Sequence, residues 1–194
     1  MQIPYRKIVL PNLVQDVKSV FWDHIHPYGL PKESRMLRAV KINEKDPAHQ
    51  TISGIPKKYP FLDYHLLIFI IPPNQSTLIH LDGMGDKNNR GLSCNIPISG
   101  CTEQGLTEFF DADITDFYTD HVRTTRFIKP GSSQNKVFEY SLTDNPVLCD
   151  TQYPHRVNNI QSSQTRISVS WTTRPDWTWD MISDYVAKQD QPSV

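Results

Sequence analysis

The sequence predicts a mainly β fold, an antiparallel sandwich or jelly roll, and three observations carry that prediction. Beyond residue 65 the chain breaks into short apolar or alternating runs separated by Pro, Gly, Asn and Asp. About nine such runs fill roughly 110 residues with no helical period among them, the pattern of a two-sheet antiparallel domain. Helical spacing is confined to the two ends of the chain, which predicts flanking N-terminal and C-terminal helices.

At the N-terminal end, Leu13, Val17, Val20, Phe21 and His24 recur at helical spacing behind Pro11-Asn12, where Asn12 is suited to cap the first turn. Residues 25–60 carry Pro27, Pro31, Pro47, Pro56 and Pro60 and read as loop, with at most short strands around Met36 to Ile42. The strand candidates are Leu66 to Ile71, Thr77 to Asp82, Leu92 to Ile98, Thr107 to Phe110, Thr125 to Lys129, Lys136 to Leu142, Pro146 to Cys149, His155 to Asn158 and Arg166 to Thr173. A last helix puts Trp177, Met181 and Tyr185 on one face, with Pro175 suited to its first turn. The tail from Gln189 to Val194 is polar and reads as frayed.

One composition regime runs through the 194 residues, so a single domain is expected. Twenty Lys and Arg against 21 Asp and Glu leave a net charge of -1, so no global field draws the protein to nucleic acid or a membrane surface. A small molecule or a peptide is the expected partner. The longest apolar run, Leu66 to Ile71, is far short of the roughly 20 residues of a membrane helix, and the first residues lack a signal-peptide core, so a cytoplasmic protein is expected. Cys94, Cys101 and Cys149 show no C-x-x-C spacing and read as small buried hydrophobes.

The chemistry-bearing residues fall on predicted strands. Alternation puts His80 and Asp82 on one face of the run Thr77 to Asp82, able to converge on one ion. A neutral imidazole, a carboxylate and a second histidine make the set that suits Fe(II) and leaves coordination positions open. His155, at the start of a distant strand, is the leading candidate for the second histidine; the bland reading is a surface His beside an Asp, and a structural histidine elsewhere. The pair His24-x-His26 is a rival. Eleven residues past His155, the strand from Arg166 alternates Ile167, Val169 and Trp171 against Arg166, Ser168, Ser170 and Thr172. That polar face either meets water or enters a pocket, where a guanidinium grips a carboxylate with two hydrogen bonds and a hydroxyl adds a third.

Taken together, His80-Leu81-Asp82, then His155, then Arg166-Ile167-Ser168 resemble the signature of the Fe(II)/2-oxoglutarate-dependent oxygenases, in the family's order and over about residues 64–173. Arg123-Thr124-Thr125 also fits the Arg-x-Ser/Thr part, but it precedes the distal histidine. The resemblance is to small, single-domain bacterial and phage members. It implies a double-stranded β-helix, a jelly roll with the metal at one open end, and a requirement for Fe(II), 2-oxoglutarate and O2. It implies that His80, Asp82 and His155 hold iron and that Arg166 and Ser168 hold the distal carboxylate of 2-oxoglutarate. Asn95 is either a contact to that co-substrate or a polar residue at a strand edge. Halogenating relatives carry a small residue where Asp82 stands, so the resemblance implies hydroxylation or demethylation. The stretch 110–134 is long for a connection inside a jelly roll and is expected to be a lid, a substrate loop or a solvated excursion.

Two rivals remain on the page: a cupin-like metalloenzyme without 2-oxoglutarate, and a metal-free jelly-roll binding module. Cupins cluster H-x-H histidines before a Glu, a pattern this chain lacks in its β region. Metal analysis of freshly purified protein separates the second: near-stoichiometric metal is expected, and metal-free protein that does not take up added Fe(II) would favour the binding module.

Overall fold

A computed structural model describes residues 3–25, 52–82, 91–113, 117–119 and 126–189. Among them, two antiparallel sheets face each other, with helices on the outside of one. The first has five strands in the order β1 (Tyr5–Lys7), β9 (Val147–Asp150), β4 (Leu92–Ser99), β11 (Arg166–Thr173) and β2 (Leu62–Ile71). The second has six: β6 (Phe117–Thr119), β7 (Arg126–Ile128), β3 (His80–Leu81), β10 (His155–Asn158), β5 (Leu106–Asp111) and β8 (Asn135–Ser141). Neighbours distant in sequence, such as β3 and β10, therefore lie side by side.

The helices are α1 (Pro11–Val20), α2 (Gly54–Lys58) and α3 (Trp179–Gln189). They cover the outer face of the five-stranded sheet. There Leu13, Val17 and Phe21 from the N-terminal helical segment and Ile182 from α3 join Ile68, Ile96, Val169 and Trp171 in one buried cluster. Each such fully buried side chain contributes about 1.5–3 kcal/mol relative to exposure, which is what holds short helices on the sheet. The Trp171 indole donates to the Asp63 carbonyl, so its polar edge is satisfied within the core. A second cluster, with Phe109, Tyr140, Leu142, Val147 and Cys149, fills one part of the space between the sheets.

The nine expected strands are all present, with ends shifted by a few residues; the run Thr77 to Asp82 shrinks to His80–Leu81. β1 and β6 were not expected, being three-residue strands too short to show a period. Asn12 is not the cap: Leu10 holds that position without a side-chain hydrogen bond, and Pro11 occupies the first turn. The helical run also does not continue regularly to His24, because Phe21–Ile25 is wound as a π-helical turn. At the other end, α3 starts at Trp179, leaving Pro175 outside, and buries Ile182 and Val186 rather than Met181, which is 46% exposed. The strands proposed near Met36 to Ile42, His26, and the tail from 190 on lie outside the described residues. No helix among the described residues is long and apolar enough to cross a membrane.

The turn out of β4 depends on Gly100, whose φ of 61° is left-handed and whose Cα faces the chain entering β11. A Cβ there would stand 2.0 Å from the Thr165 carbonyl oxygen. The left-handed conformation alone costs a non-glycine residue about 1–2 kcal/mol, and the clash with backbone adds to it. Gly100→Ala is expected to lower the unfolding free energy by more than that penalty, seen as a lower urea midpoint with an unchanged m value; an unaltered midpoint would show that the turn relaxes freely.

Candidate metal centre

The pairing of β10 with β3 sets His155 directly opposite His80, so the two imidazoles leave the same face of the sheet with ring centroids 4.4 Å apart. Although β3 ends at Leu81, Asp82 keeps the side of His80 because its backbone N–H is held by the Thr151 carbonyl at 3.0 Å. Its carboxylate Oδ1 lies 3.6 Å from His80 Nε2. One donor atom from each of His80, Asp82 and His155 falls within 4.8 Å of the others, a spacing that could hold a metal ion.

The backbone also sets which imidazole nitrogen is offered. His80 Nδ1 lies 2.7 Å from the Leu78 carbonyl and His155 Nδ1 lies 2.8 Å from the Tyr153 carbonyl. A carbonyl only accepts, so both Nδ1 atoms carry the proton and both Nε2 lone pairs stay free, the arrangement found around metal-bound histidines. His80 is 6% and His155 9% exposed. Burial, and then the neighbouring His80, push the His155 imidazolium down to about 4, so that ring is neutral across the physiological range, as a ligand must be.

Arg166, Ser168 and Ser170 face the same small open cavity as His80, Asp82 and His155, lined also by Asn95, Thr107 and Cys149. The strand's polar face thus points between the sheets, not into water. Arg166 is 2% exposed. Its terminal nitrogens donate to the Gly105 carbonyl and to Thr107 Oγ1, both at 3.1 Å, while Nε has no partner. Among the described residues no carboxylate pairs with it. A buried guanidinium with unused donors and no counter-charge is costly, and an anion in the cavity would relieve it. The turn before β11 is held by Asn159, whose side-chain amide donates to the carbonyls of Ile71, Pro72 and Gln164.

Asn95 lines the cavity and is no free strand edge: its amide donates to Tyr140 Oη at 3.0 Å and to Cys149 Sγ at 3.2 Å. Cys149, expected only as a hydrophobe, is a hydrogen-bonded wall of the site, with Tyr140 Oη 3.0 Å from its sulfur. Burial pushes its thiol up to about 12, so it stays protonated. Thr107, Thr151, Tyr140 and Cys149 escaped the sequence reading because nothing local distinguishes them; only Thr107, two residues before the inward Phe109, is recoverable from strand alternation. The backbone at His24 belongs to the π-helical turn, and His26 lies outside the described residues.

No family model matches the sequence, and no curated protein matches it. Solved structures similar in shape include a prolyl-4-hydroxylase from Pseudomonas putida, at 14% identity and a TM-score of 0.47, covering 88% of this chain and 92% of that one. Another is AviO1 from Streptomyces viridochromogenes Tue57, at 13% identity and a TM-score of 0.38, covering 90% and 91%. Likenesses this distant assign neither fold nor chemistry, and the functional reading stands on the side chains.

The backbone contacts at Nδ1 make a direct expectation. Long-range nitrogen–proton correlations on metal-free protein at neutral pH should show His80 and His155 as Nδ1–H tautomers. An Nε2–H pattern on either ring would mean that its metal-facing lone pair is absent.

Proposed function

We propose that this chain, as one domain over 1–194, is a non-haem Fe(II) oxygenase of the double-stranded β-helix type that uses 2-oxoglutarate and O2 to hydroxylate a small-molecule or peptide substrate. The observation that carries the reading is Arg166: a buried guanidinium with an unpartnered Nε, facing the cavity onto which His80, Asp82 and His155 also open. A metal site alone fits many proteins. A metal site and an anion clamp in one cavity fit a co-substrate that carries carboxylates and meets the ion.

The donor set suits iron, since two imidazoles and one carboxylate occupy one side of an ion and leave the other open. His80, Asp82 and His155 would hold Fe(II), and Arg166 with Ser168 would hold the distal carboxylate of 2-oxoglutarate. Bound together, the metal and co-substrate supply the oxidising power for attack on a substrate C–H bond, with release of succinate and CO2. The chain's own part is positional. The Leu78 and Tyr153 carbonyls keep both imidazoles in the ligating tautomer and fix their tilt. Gly105 and Thr107 hold the guanidinium in one plane while leaving Nε available, so little ordering is left to be done on binding. Asn95, locked to Tyr140 and Cys149, adds a rigid polar wall that the co-substrate can touch.

Under anaerobic conditions, Fe(II) with 2-oxoglutarate is expected to give a weak visible charge-transfer band. His80→Ala and His155→Ala should abolish the band in folded protein. A hydrogen bond to a charged group contributes roughly 1.5–3 kcal/mol, so Arg166→Ala should weaken 2-oxoglutarate by one to a few powers of ten. Arg166→Lys should recover only part, because an ammonium cannot reproduce a two-pronged grip. Metal affinity should survive in both. If Arg166→Ala binds 2-oxoglutarate as tightly as wild type, the clamp is elsewhere and the reading loses the observation that carries it; if wild type takes up Fe(II) but not 2-oxoglutarate, a cupin-like use of the metal without this co-substrate becomes the better reading.

A further inference from the structure

The six-stranded sheet carries a row of rings that continues past the metal centre to its edge. Phe138 lies opposite Phe109, Phe109 opposite His155, His155 opposite His80, His80 opposite Phe127, and Phe127 opposite Tyr118. Directly opposed residues of antiparallel strands share a face, so all six side chains leave the sheet on the side of the metal ligands. The row is not uniform. On the β5 side it is closed, with Phe109 fully buried. On the β7–β6 side it opens: Phe127 is half-buried and Tyr118 is 44% exposed. Ring centroids step outward at 6.1 Å from His80 to Phe127 and 5.9 Å from Phe127 to Tyr118, tilted by 42° and 37°.

Packing does not require those two rings to be aromatic. The β6–β7 hairpin is anchored by its opposite face, where Phe117 and Ile128 join Ile79, Leu81 and Phe110 in a separate buried cluster. Arg126, opposite both Leu81 and Thr119, leaves on that opposite face as well. The site face of the hairpin therefore presents an uncharged aromatic ledge that starts at a metal ligand and ends in solvent. Within 110–134 the described residues include the expected strand β7 and the unexpected β6, which lengthen the sheet beside β3.

We propose that Phe127 and Tyr118 form a substrate platform, and that the substrate bears a neutral, planar aromatic ring that stacks on them while the bond to be oxidised points towards His80 and Asp82. This rests on the oxygenase reading above. Rings prefer tilted or offset neighbours with centroids 4.5–7 Å apart, and the Phe127–Tyr118 spacing extends that lattice by one further position. A saturated ring of equal size gains the burial but loses the preference of ring for ring, a loss of about twofold to tenfold in affinity.

The probes are indole and 4-methylphenol, each against its saturated counterpart, octahydroindole (neutralised as its N-acetyl derivative) and 4-methylcyclohexanol. Saturation-transfer NMR on the full chain reads binding without any metal. Broadening of probe ring protons on loading Mn(II) and 2-oxoglutarate reads proximity to the triad. Both aromatic probes should bind, should broaden with Mn(II), and should outcompete the saturated pair by about twofold to tenfold. Tyr118→Ala, an exposed substitution that leaves the hairpin's buried face intact, should weaken them to a similar degree, and Tyr118→Phe should restore them. Equal binding of the saturated probes, or indifference to Tyr118→Ala, would overturn the platform. So would saturation without Mn(II) broadening in protein that demonstrably binds Mn(II). If wild type gives no Fe(II)/2-oxoglutarate band, the oxygenase reading fails by itself, while ring-dependent saturation lost in Tyr118→Ala still supports the aromatic platform.

Discussion

Everything at the open end of the two sheets is referenced to one antiparallel pairing, His155 opposite His80. That register brings the imidazole centroids to 4.4 Å, aligns Phe109 on one side and Phe127 on the other, and leaves Asp82 two residues past the pair. A slip of a single residue would turn each of these side chains to the other face of the sheet. β3 contributes only two residues to the ladder, too few to hold a register unaided. Hydrogen bonds beyond its ends supply the rest: Thr77 N–H to the Val157 carbonyl, Asp82 N–H to the Thr151 carbonyl, and Ile128 N–H to the Ile79 carbonyl.

The same economy appears at Arg166. Alternation along β11 sends Ile167, Val169 and Trp171 into the helix-covered core and Arg166, Ser168 and Ser170 into the cavity. The large apolar face is what secures the strand, so the polar face can be left incompletely satisfied without endangering the fold. Proteins commonly bury such a deficit only where a ligand corrects it. The site is thus a region where local polar rules are broken, and the surrounding core makes the breach tolerable.

Among the described residues two other buried side-chain atoms, Thr102 Oγ1 and Asn159 Oδ1, lack a partner, and neither belongs to a charged group. On the outer face of the six-stranded sheet, the nearly buried Glu108 accepts from Arg156 Nε at 2.6 Å and stands 3.5 Å from Lys136. Burial alone would raise its carboxyl, but these partners and Asn158 hold it below the ordinary range. Arg166 is left with a donor to spare although it is as deeply buried as any charged group in the described residues.

From sequence alone, period and spacing determined the β character, the position of nine strands, the flanking helices, and the candidates His80, Asp82, His155, Arg166 and Ser168, because alternation and motif order are local properties of the chain. The three-residue strands β1 and β6 are too short for a period, and of the expected stripe Trp177 and Tyr185 pack on the core while Met181 turns out and Ile182 and Val186 are buried in its place. Tertiary structure alone decided that Asn95, Tyr140 and Cys149 form one hydrogen-bonded wall, that Arg166 keeps an unused donor, and that β6 and β7 carry two aromatic rings up to His80. These facts depend on which strands pair and in what register, and pairing between strands some 75 residues apart, as for β3 and β10, is set by the collapse of the whole sandwich, not by any segment of it.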